Sequence, residues 1–270
     1  MVLSEADRQK LRTTFNEAAE LYDRSRPHYP QQLFEDLIQM AELEPGTSLL
    51  EIGCGTGRAT VPLAKRGFDI LCVELGENMA SVARRNLASF PEVRVVTAPF
   101  EVWDSAGDAF DLVLAATCWD WIDPNVRFRK ASGALKPRGR LAIIGCGHAF
   151  PKDADRFFFE IQDIYSEIGE DIPGEQWPPP PPEDVPDFRE EIEASGLFGD
   201  VQSRRYVWEV MYTAEEYIDL LNTFSGHIAM EPAKRDYLYR HIRQRINARP
   251  DPRVRRHWLA ILNVARNTPA

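Results

Sequence analysis

Apolar and polar positions along this chain follow two rhythms, and the first governs residues 48–145. Short, almost unbroken apolar runs predict strands at "SLLEIG" (48–53), "DILCVEL" (69–75), "VRVVTA" (93–98), "FDLVLAAT" (110–117) and "GRLAIIG" (139–145). Between them, "GRATVPLAKRG" (57–67), "NMASVARRNLASF" (78–90) and "NVRFRKASGAL" (125–135) repeat their apolar residues at helical spacing. Strands apolar on both faces that alternate with helices predict a parallel sheet covered on both sides, a doubly wound α/β fold.

The second rhythm is helical and flanks the first. Leu11, Phe15, Ala18, Ala19 and Tyr22 recur at helical spacing over 4–23, and the prolines of "SRPHYP" end that helix. A second helix, "QQLFEDLIQMAEL" (31–43), stops at "EPG". After Gly147 come "DADRFFFEIQDIYSEIG" (153–169), five consecutive prolines at 178–182, and a helix "DFREEIEASGLF" (187–198). A long strand "VQSRRYVWEVMYT" (201–213) leads to helices "AEEYIDLLNTFS" (214–225) and "KRDYLYRHIRQRI" (234–246), and "RRHWLAILNVARN" (255–267) reads as a closing strand of the same sheet. The proline run reads as a stiff surface spacer, with a docking ligand for a partner as the alternative.

Composition narrows the class. With 270 residues, 44% of them apolar, the chain has enough material for a sizeable core. No run approaches the roughly 18 uninterrupted apolar residues of a membrane helix, and "MVLSEADRQKLRTTF" lacks the apolar core of a signal peptide. The expectation is a cytoplasmic protein with no membrane contact. Cys54, Cys72, Cys118 and Cys146 sit in or just after strand-like runs, without a C-x-x-C pair or a His at ligand spacing, and read as buried reduced thiols. No metal site is expected.

The net charge of −10 argues against wholesale nucleic-acid binding, yet it is uneven: residues 229–270 carry +7 and residues 1–228 carry −17. A basic patch of this kind could meet an anionic ligand or RNA, or be the solvated face of the helix at 234–246.

The candidate chemistry gathers at "LLEIGCGTGRAT" (49–60). An apolar strand stops at Glu51 and breaks into Gly53, Gly55 and Gly57. In doubly wound sheets the first strand-to-helix turn lies at the carboxyl edge where ligands bind. Glycines there allow positive φ and the close approach of a ligand to the backbone, and Gly57 allows the helix to start tight against the strand. The dinucleotide fingerprint G-x-G-x-x-G would place its third glycine at position 58, which is Arg58. A carboxylate beside the turn also opposes a pyrophosphate and favours a cationic ligand.

The spacing E-x-G-x-G-x-G resembles motif I of the class I S-adenosylmethionine-dependent methyltransferases, and the resemblance extends over about residues 15–266. It implies a Rossmann-like seven-stranded sheet, mostly parallel with an antiparallel last strand, a helical N-terminal cap (1–45), a cofactor-binding core (46–150) and a remainder (151–270) with the proline-rich connection and a helical lid. The implied cofactor is S-adenosylmethionine, with S-adenosylhomocysteine as product. Glu51 would help position the methionine amino group, and Gly53, Cys54, Gly55 and Gly57 would approach the methionine portion. Glu74, about 20 residues past the loop, would accept both ribose hydroxyls, with Leu75 and Met79 packed on the adenosine. In "VVTAPFEVWD" the usual adenine-binding acid is replaced by Pro99, so Phe100 would stack on adenine and Glu101 would supply a polar contact.

"FDLVLAATCWDWIDP" resembles motif IV, beside the transferred methyl group, where Ala116 would line the cofactor. Relatives often have a His between the two aromatics where this chain has Asp120. "AELYDRSRPHYP" resembles the cap of a small-molecule subgroup and places Tyr22, Arg26 and Tyr29 on the cofactor and acceptor side, with His28 as a turn residue. Trp119, Trp121, Tyr212, Ser225 and His227 are the expected acceptor contacts. Asp120, an acid between two tryptophans, is costly to bury unless paired or used, and with His148 it is the candidate base. In-line methyl transfer needs such a base only if the acceptor must lose a proton.

The resulting expectation is methyl transfer to a small molecule, by a monomer or a homodimer. The alternatives are an RNA or protein methyltransferase using the basic patch, a nicotinamide oxidoreductase, and a cofactor-binding regulator without transferase activity.

Overall fold

The computed structural model describes residues 4–170 and 179–268. Its strands are β1 (Ser48–Ile52), β2 (Asp69–Glu74), β3 (Val93–Thr97), β4 (Phe110–Ala116), β5 (Leu135–Ala149), β6 (Phe198–Thr213) and β7 (Arg253–Asn267). Its helices are α1 (Glu5–Thr14), α2 (Ala19–Ser25), α3 (Gln31–Met40), α4 (Thr60–Ala64), α5 (Glu77–Asn86), α6 (Arg127–Ala134), α7 (Phe157–Glu160), α8 (Gln162–Glu167), α9 (Arg189–Ala194), α10 (Ala214–Leu221), α11 (Ser225–Ala229) and α12 (Pro232–Asn247). The strands form one sheet in the order β3-β2-β1-β4-β5-β7-β6, mostly parallel with one antiparallel strand, as expected.

Burial follows position in the sheet. Leu49, Leu50 and Ile52 of β1 are buried, because β1 pairs with β2 on one side and β4 on the other and both its faces are covered. In β3, at the edge, burial alternates residue by residue. The run Trp258–Leu262 in β7 is buried throughout, which fits a strand lodged between two others.

Several elements depart from the sequence pattern for local reasons. The helix expected over 4–23 is broken by a 3₁₀ turn at Phe15–Ala18. Just before it the Thr13 and Thr14 hydroxyls donate to the carbonyls of Lys10 and Leu11, three residues back, and compete with helical bonding. The helix expected at 57–67 shrinks to α4, because the glycine turn extends to Ala59. β5 begins at Leu135 rather than at 139, with an irregular register between Phe110 and Leu112 of β4 and a positive φ of 66° at Arg138. The proline run begins at Pro178, outside the described residues, while Pro179–Pro182 carry neither helix nor strand.

The chain divides into two compact units. One comprises residues 28–146, 186–206 and 260–270, and the other comprises 1–27, 147–185 and 207–259. The first holds β1–β4 and a core of Leu50, Ile52, Val113, Leu141 and Phe198. In the second, α1 contacts α11, and α10 contacts both α2 and α12. Asp155 there accepts two bonds from the Arg249 guanidinium, at 3.0 and 2.8 Å, and the Arg255 amide at 3.1 Å.

None of the four cysteines forms a disulfide: Cys54 and Cys72 are buried, Cys118 and Cys146 half-buried. Among the described residues no His, Cys, Asp and Glu cluster could hold a metal, and no helix is long and apolar enough to cross a membrane. The basic C-terminal stretch is largely ion-paired within the chain. Lys234, Arg243, Arg245, Arg249, Arg253, Arg255 and Arg266 each face a carboxylate.

Candidate functional site

The glycine turn after β1 is built from left-handed backbone: φ is +60° at Gly53, +57° at Gly55 and +89° at Gly57. The three glycines are needed for different reasons. A Cβ on Gly53 would lie 2.7 Å from Cβ of Cys118, so its bareness serves the contact between this turn and the end of β4, which corrects the expectation that a ligand fills that space. Cys118 completes the contact by donating its thiol to the Ile52 carbonyl at 2.9 Å. A Cβ on Gly57 would meet the Leu87 side chain at 3.3 Å, so it too serves packing, against the residue that follows α5. At Gly55 the nearest atom to such a Cβ is Met79 Cε at 4.0 Å, so this residue alone keeps its face open.

Two acids frame the turn. Glu51 is buried and accepts the Thr60 hydroxyl at 2.8 Å. Burial pushes its pKa up to about 7; the Thr60 bond opposes the rise and the nearby charge of Glu74 adds to it. Glu74, at the end of β2, is also buried, and its Oε2 accepts the Gly55 amide at 2.8 Å and its Oε1 the Gly76 amide at 2.9 Å. Burial raises its pKa, against the pull of the Gly76, Gly55 and Leu75 amides. Each oxygen keeps a further lone-pair direction for another donor. Thr56, in the turn itself, has a buried hydroxyl with no partner among the described residues.

The other expected cofactor residues divide. Leu75 and Ala116 are half-buried, and Met79 is buried beside Gly55. Cys54 is buried, and its thiol pKa rises well above the usual range through Cys72 and burial. Phe100 is buried in the core, its ring stacked on Trp103 at 6.3 Å, and this corrects its reading as an open platform for adenine. Glu101 accepts the Asp123 amide at 3.3 Å and so braces the loop after β4.

That loop holds two further corrections. Trp119 is fully buried, edge-on to Phe128 at 5.0 Å, and is a core residue rather than an acceptor contact. Asp120 points the other way: its side chain is 72% exposed and 3.8 Å from Arg127, and partial burial raises its pKa against the pull of the Arg127 charge. Arg127 itself is buried, donates to the Trp119 carbonyl at 2.7 Å and pairs with Glu191. Trp121 is half-buried. Sequence reasoning missed Thr117, a β-branched residue at φ +60°, whose hydroxyl meets Tyr29 Oη at 2.7 Å. It also missed Thr60, although a hydroxyl nine residues past a strand-end acid was visible.

The remaining expected residues lie in the other unit. Arg26 donates to the Thr223 hydroxyl at 2.7 Å and the Thr223 carbonyl at 2.9 Å, with its guanidinium over Phe224 and Tyr22. Ser225 opens α11 and is half-buried. Tyr212 is buried, and its hydroxyl accepts Trp258 Nε1 at 3.2 Å. His227 meets the Tyr165 hydroxyl through Nε2 at 3.0 Å, and burial, helped by Arg256 and Arg235, lowers its pKa to about 4. His148 packs between Phe150 and Phe158, at 4.1 and 4.4 Å between centroids, with Nε2 buried and unbonded among the described residues. Burial, with Arg256 and His257 adding to it, depresses its pKa so far that the ring stays neutral, which corrects its reading as a base.

Comparison with known proteins bears on the same region. Residues 50–143 match the family model described as a methyltransferase domain. An uncharacterized methyltransferase of Mycobacterium tuberculosis (strain ATCC 25618 / H37Rv) is 25% identical over 243 residues, which span 90% of this chain and 89% of that one. Among solved structures, a candidate type II methyltransferase from Anaeromyxobacter dehalogenans shares the fold, with a TM-score of 0.64 and 20% identity over 91% of this chain and 99% of the other. Phosphoethanolamine N-methyltransferase 2 of Haemonchus contortus, solved with phosphomonomethylethanolamine and S-adenosylhomocysteine, matches with a TM-score of 0.52 and 17% identity over 94% of this chain and 58% of that one.

Proposed function

We propose, from the premise that this chain is a class I S-adenosylmethionine-dependent methyltransferase, that it transfers a methyl group from S-adenosylmethionine to a small-molecule acceptor in the cytoplasm. The observation that carries the reading is the pair of buried acids at the glycine turn. Neither has a cationic partner among the described residues, and Glu51 stands at the edge of ionisation. A ligand with an ammonium and a sulfonium would complete that site, whereas a pyrophosphate would be repelled.

In this reading Glu51 holds the methionine amino group and Glu74 uses its free lone-pair directions for the ribose hydroxyls. The open face of Gly55 admits the ligand to the backbone, with Met79 and Leu75 beside the adenosine. S-adenosylmethionine, when bound, supplies an electrophilic methyl on a cationic sulfur. The protein then has to orient the acceptor and exclude water. Asp120, exposed after β4, is the carboxylate proposed to meet the acceptor.

A small acceptor is favoured over RNA because most basic residues of the C-terminal stretch are committed to carboxylates of the chain itself. The acceptor of the Haemonchus contortus relative is likewise a small molecule. Calorimetric titration with S-adenosylmethionine, S-adenosylhomocysteine and NADH tests the cofactor. The expected result is micromolar binding of the first two and none of the third, and failure of both sulfur nucleotides would overturn the reading. Labelled methyl transfer into the low-molecular-weight fraction of a cell extract, rather than its RNA or protein, tests the acceptor class.

A further inference from the structure

The second unit buries a charge that it does not balance. Arg256, on β7, is 6% exposed and has no carboxylate at ion-pair distance among the described residues, and its Nε is buried without a hydrogen-bond partner. Its basic neighbours in sequence differ, since Arg253 and Arg255 both face acids. The groups around the guanidinium are aromatic, phenolic or cationic. It lies 4.5 Å from the centroid of Trp258 and 5.5 Å from that of Phe224, and the buried Tyr217 phenol stands beside it. Tyr212 and Tyr165 are close enough to act on its charge, and so is a second cation, Arg26. Arg26 stands 4.0 Å from the same Phe224 centroid, so the two guanidiniums share one ring.

Burying a guanidinium beside another cation is costly unless an anion is supplied. Stacking on Trp258 and Phe224 offsets part of that cost. It leaves the hydrogen-bonding fork of Arg256 underused, and that fork matches the two oxygens of a carboxylate or phosphate. The phenols of Tyr165, Tyr212 and Tyr217 are held protonated by burial and remain donors. His227 is neutral, so it adds no further positive charge.

We infer that Arg256, with Arg26 and the surrounding tyrosine hydroxyls, forms a binding site for the carboxylate or phosphate group of a small molecule. The inference stands apart from the methyl-transfer reading, because its residues belong to the unit 1–27, 147–185 and 207–259 and its test uses no cofactor.

The test is calorimetry and thermal denaturation of the full chain with sodium phosphate and with sodium citrate, each against sodium chloride at matched ionic strength. The expected result is saturable binding of at least one anion, which also says whether the site takes phosphate or carboxylate. Arg256→Gln is expected to weaken that binding about 10- to 100-fold and Tyr217→Phe several-fold, while Arg253→Gln leaves it unchanged. If Arg256→Gln does not fold, Arg256→Lys, which keeps the charge and loses the fork, is read in its place with the same expected loss. No stabilisation of the wild type beyond chloride, or binding that survives intact in the Arg256 variant, overturns the inference and leaves Arg256 as a stacking residue.

Discussion

Glu74 holds Gly55 in place: its Oε2 accepts the Gly55 amide at 2.8 Å across 19 residues of sequence, while Oε1 accepts Gly76 at 2.9 Å. One carboxylate thus ties the turn after β1 to the turn after β2, and the residue expected to meet the ribose also shapes the loop below it. Glu74→Ala therefore removes a proposed ligand contact and a loop brace together. The expected outcome is about 10- to 100-fold weaker binding of S-adenosylmethionine. Glu74→Gln, which presents an NH2 group to one of the two amides, is expected to lose nearly as much. Calorimetry on both variants checks this.

Glu51 is expected to couple cofactor binding to protons. A cationic ligand beside it favours the ionised form, so binding from below pH 7 releases a proton, and affinity rises with pH until about 7 and then levels. Titrations in two buffers of different ionisation enthalpy would show the proton. Identical heats at pH 6 would remove Glu51 from the cationic end of the ligand.

The same group limits stability. Its pKa is about 7 in the fold against an ordinary glutamate value of 4.5, so between those pH values the folded state holds the extra proton. Its contribution to stability accordingly falls as pH rises from 4.5 to 7 and is constant above. Glu51→Gln, which keeps an acceptor for Thr60, is expected to stabilise the protein at pH 8 by up to about 3 kcal/mol and to make little difference near pH 4. Denaturant midpoints at the two pH values are the measurement.

Gly53→Ala and Gly55→Ala separate packing from ligand access. Both place a side chain at positive φ, at about 1 kcal/mol each. Only the first also drives a Cβ to 2.7 Å from Cys118. Gly53→Ala is expected to lose clearly more stability, by 1–3 kcal/mol or so, and Gly55→Ala to show its larger effect in cofactor affinity. Equal losses in both assays would contradict the division.

Asp120→Asn is expected to leave stability within about 0.5 kcal/mol, because the side chain is exposed and Arg127 keeps Glu191 and the Trp119 carbonyl. If Asp120 meets the acceptor, the loss falls on turnover once an acceptor is in hand. Unchanged turnover would retire it.

The site was legible in the sequence where chemistry is local. Glycines that require positive φ and acids that end buried strands are demanded by the backbone within a few residues, and Glu51, Gly55 and Glu74 stand where that logic placed them. Reading went astray where a residue's surroundings come from distant chain. Trp119 and Asp120 are adjacent, yet one is core and the other exposed. Gly53 faces Cys118, 65 residues away, and Phe100 and His148 found aromatic neighbours that no spacing announces.

The pattern of apolar runs by itself determined the parallel core strands and the glycine turn after β1, because strand burial and glycine geometry are written into each segment. Only the tertiary structure decided that β7 lies between β5 and β6 and, among the described residues, that seven basic residues of the C-terminal stretch meet acids while Arg256 is buried facing none. The physical reason is that the energy of a charge, a ring or a thiol depends on solvent and partners, and folding brings those from anywhere in the chain.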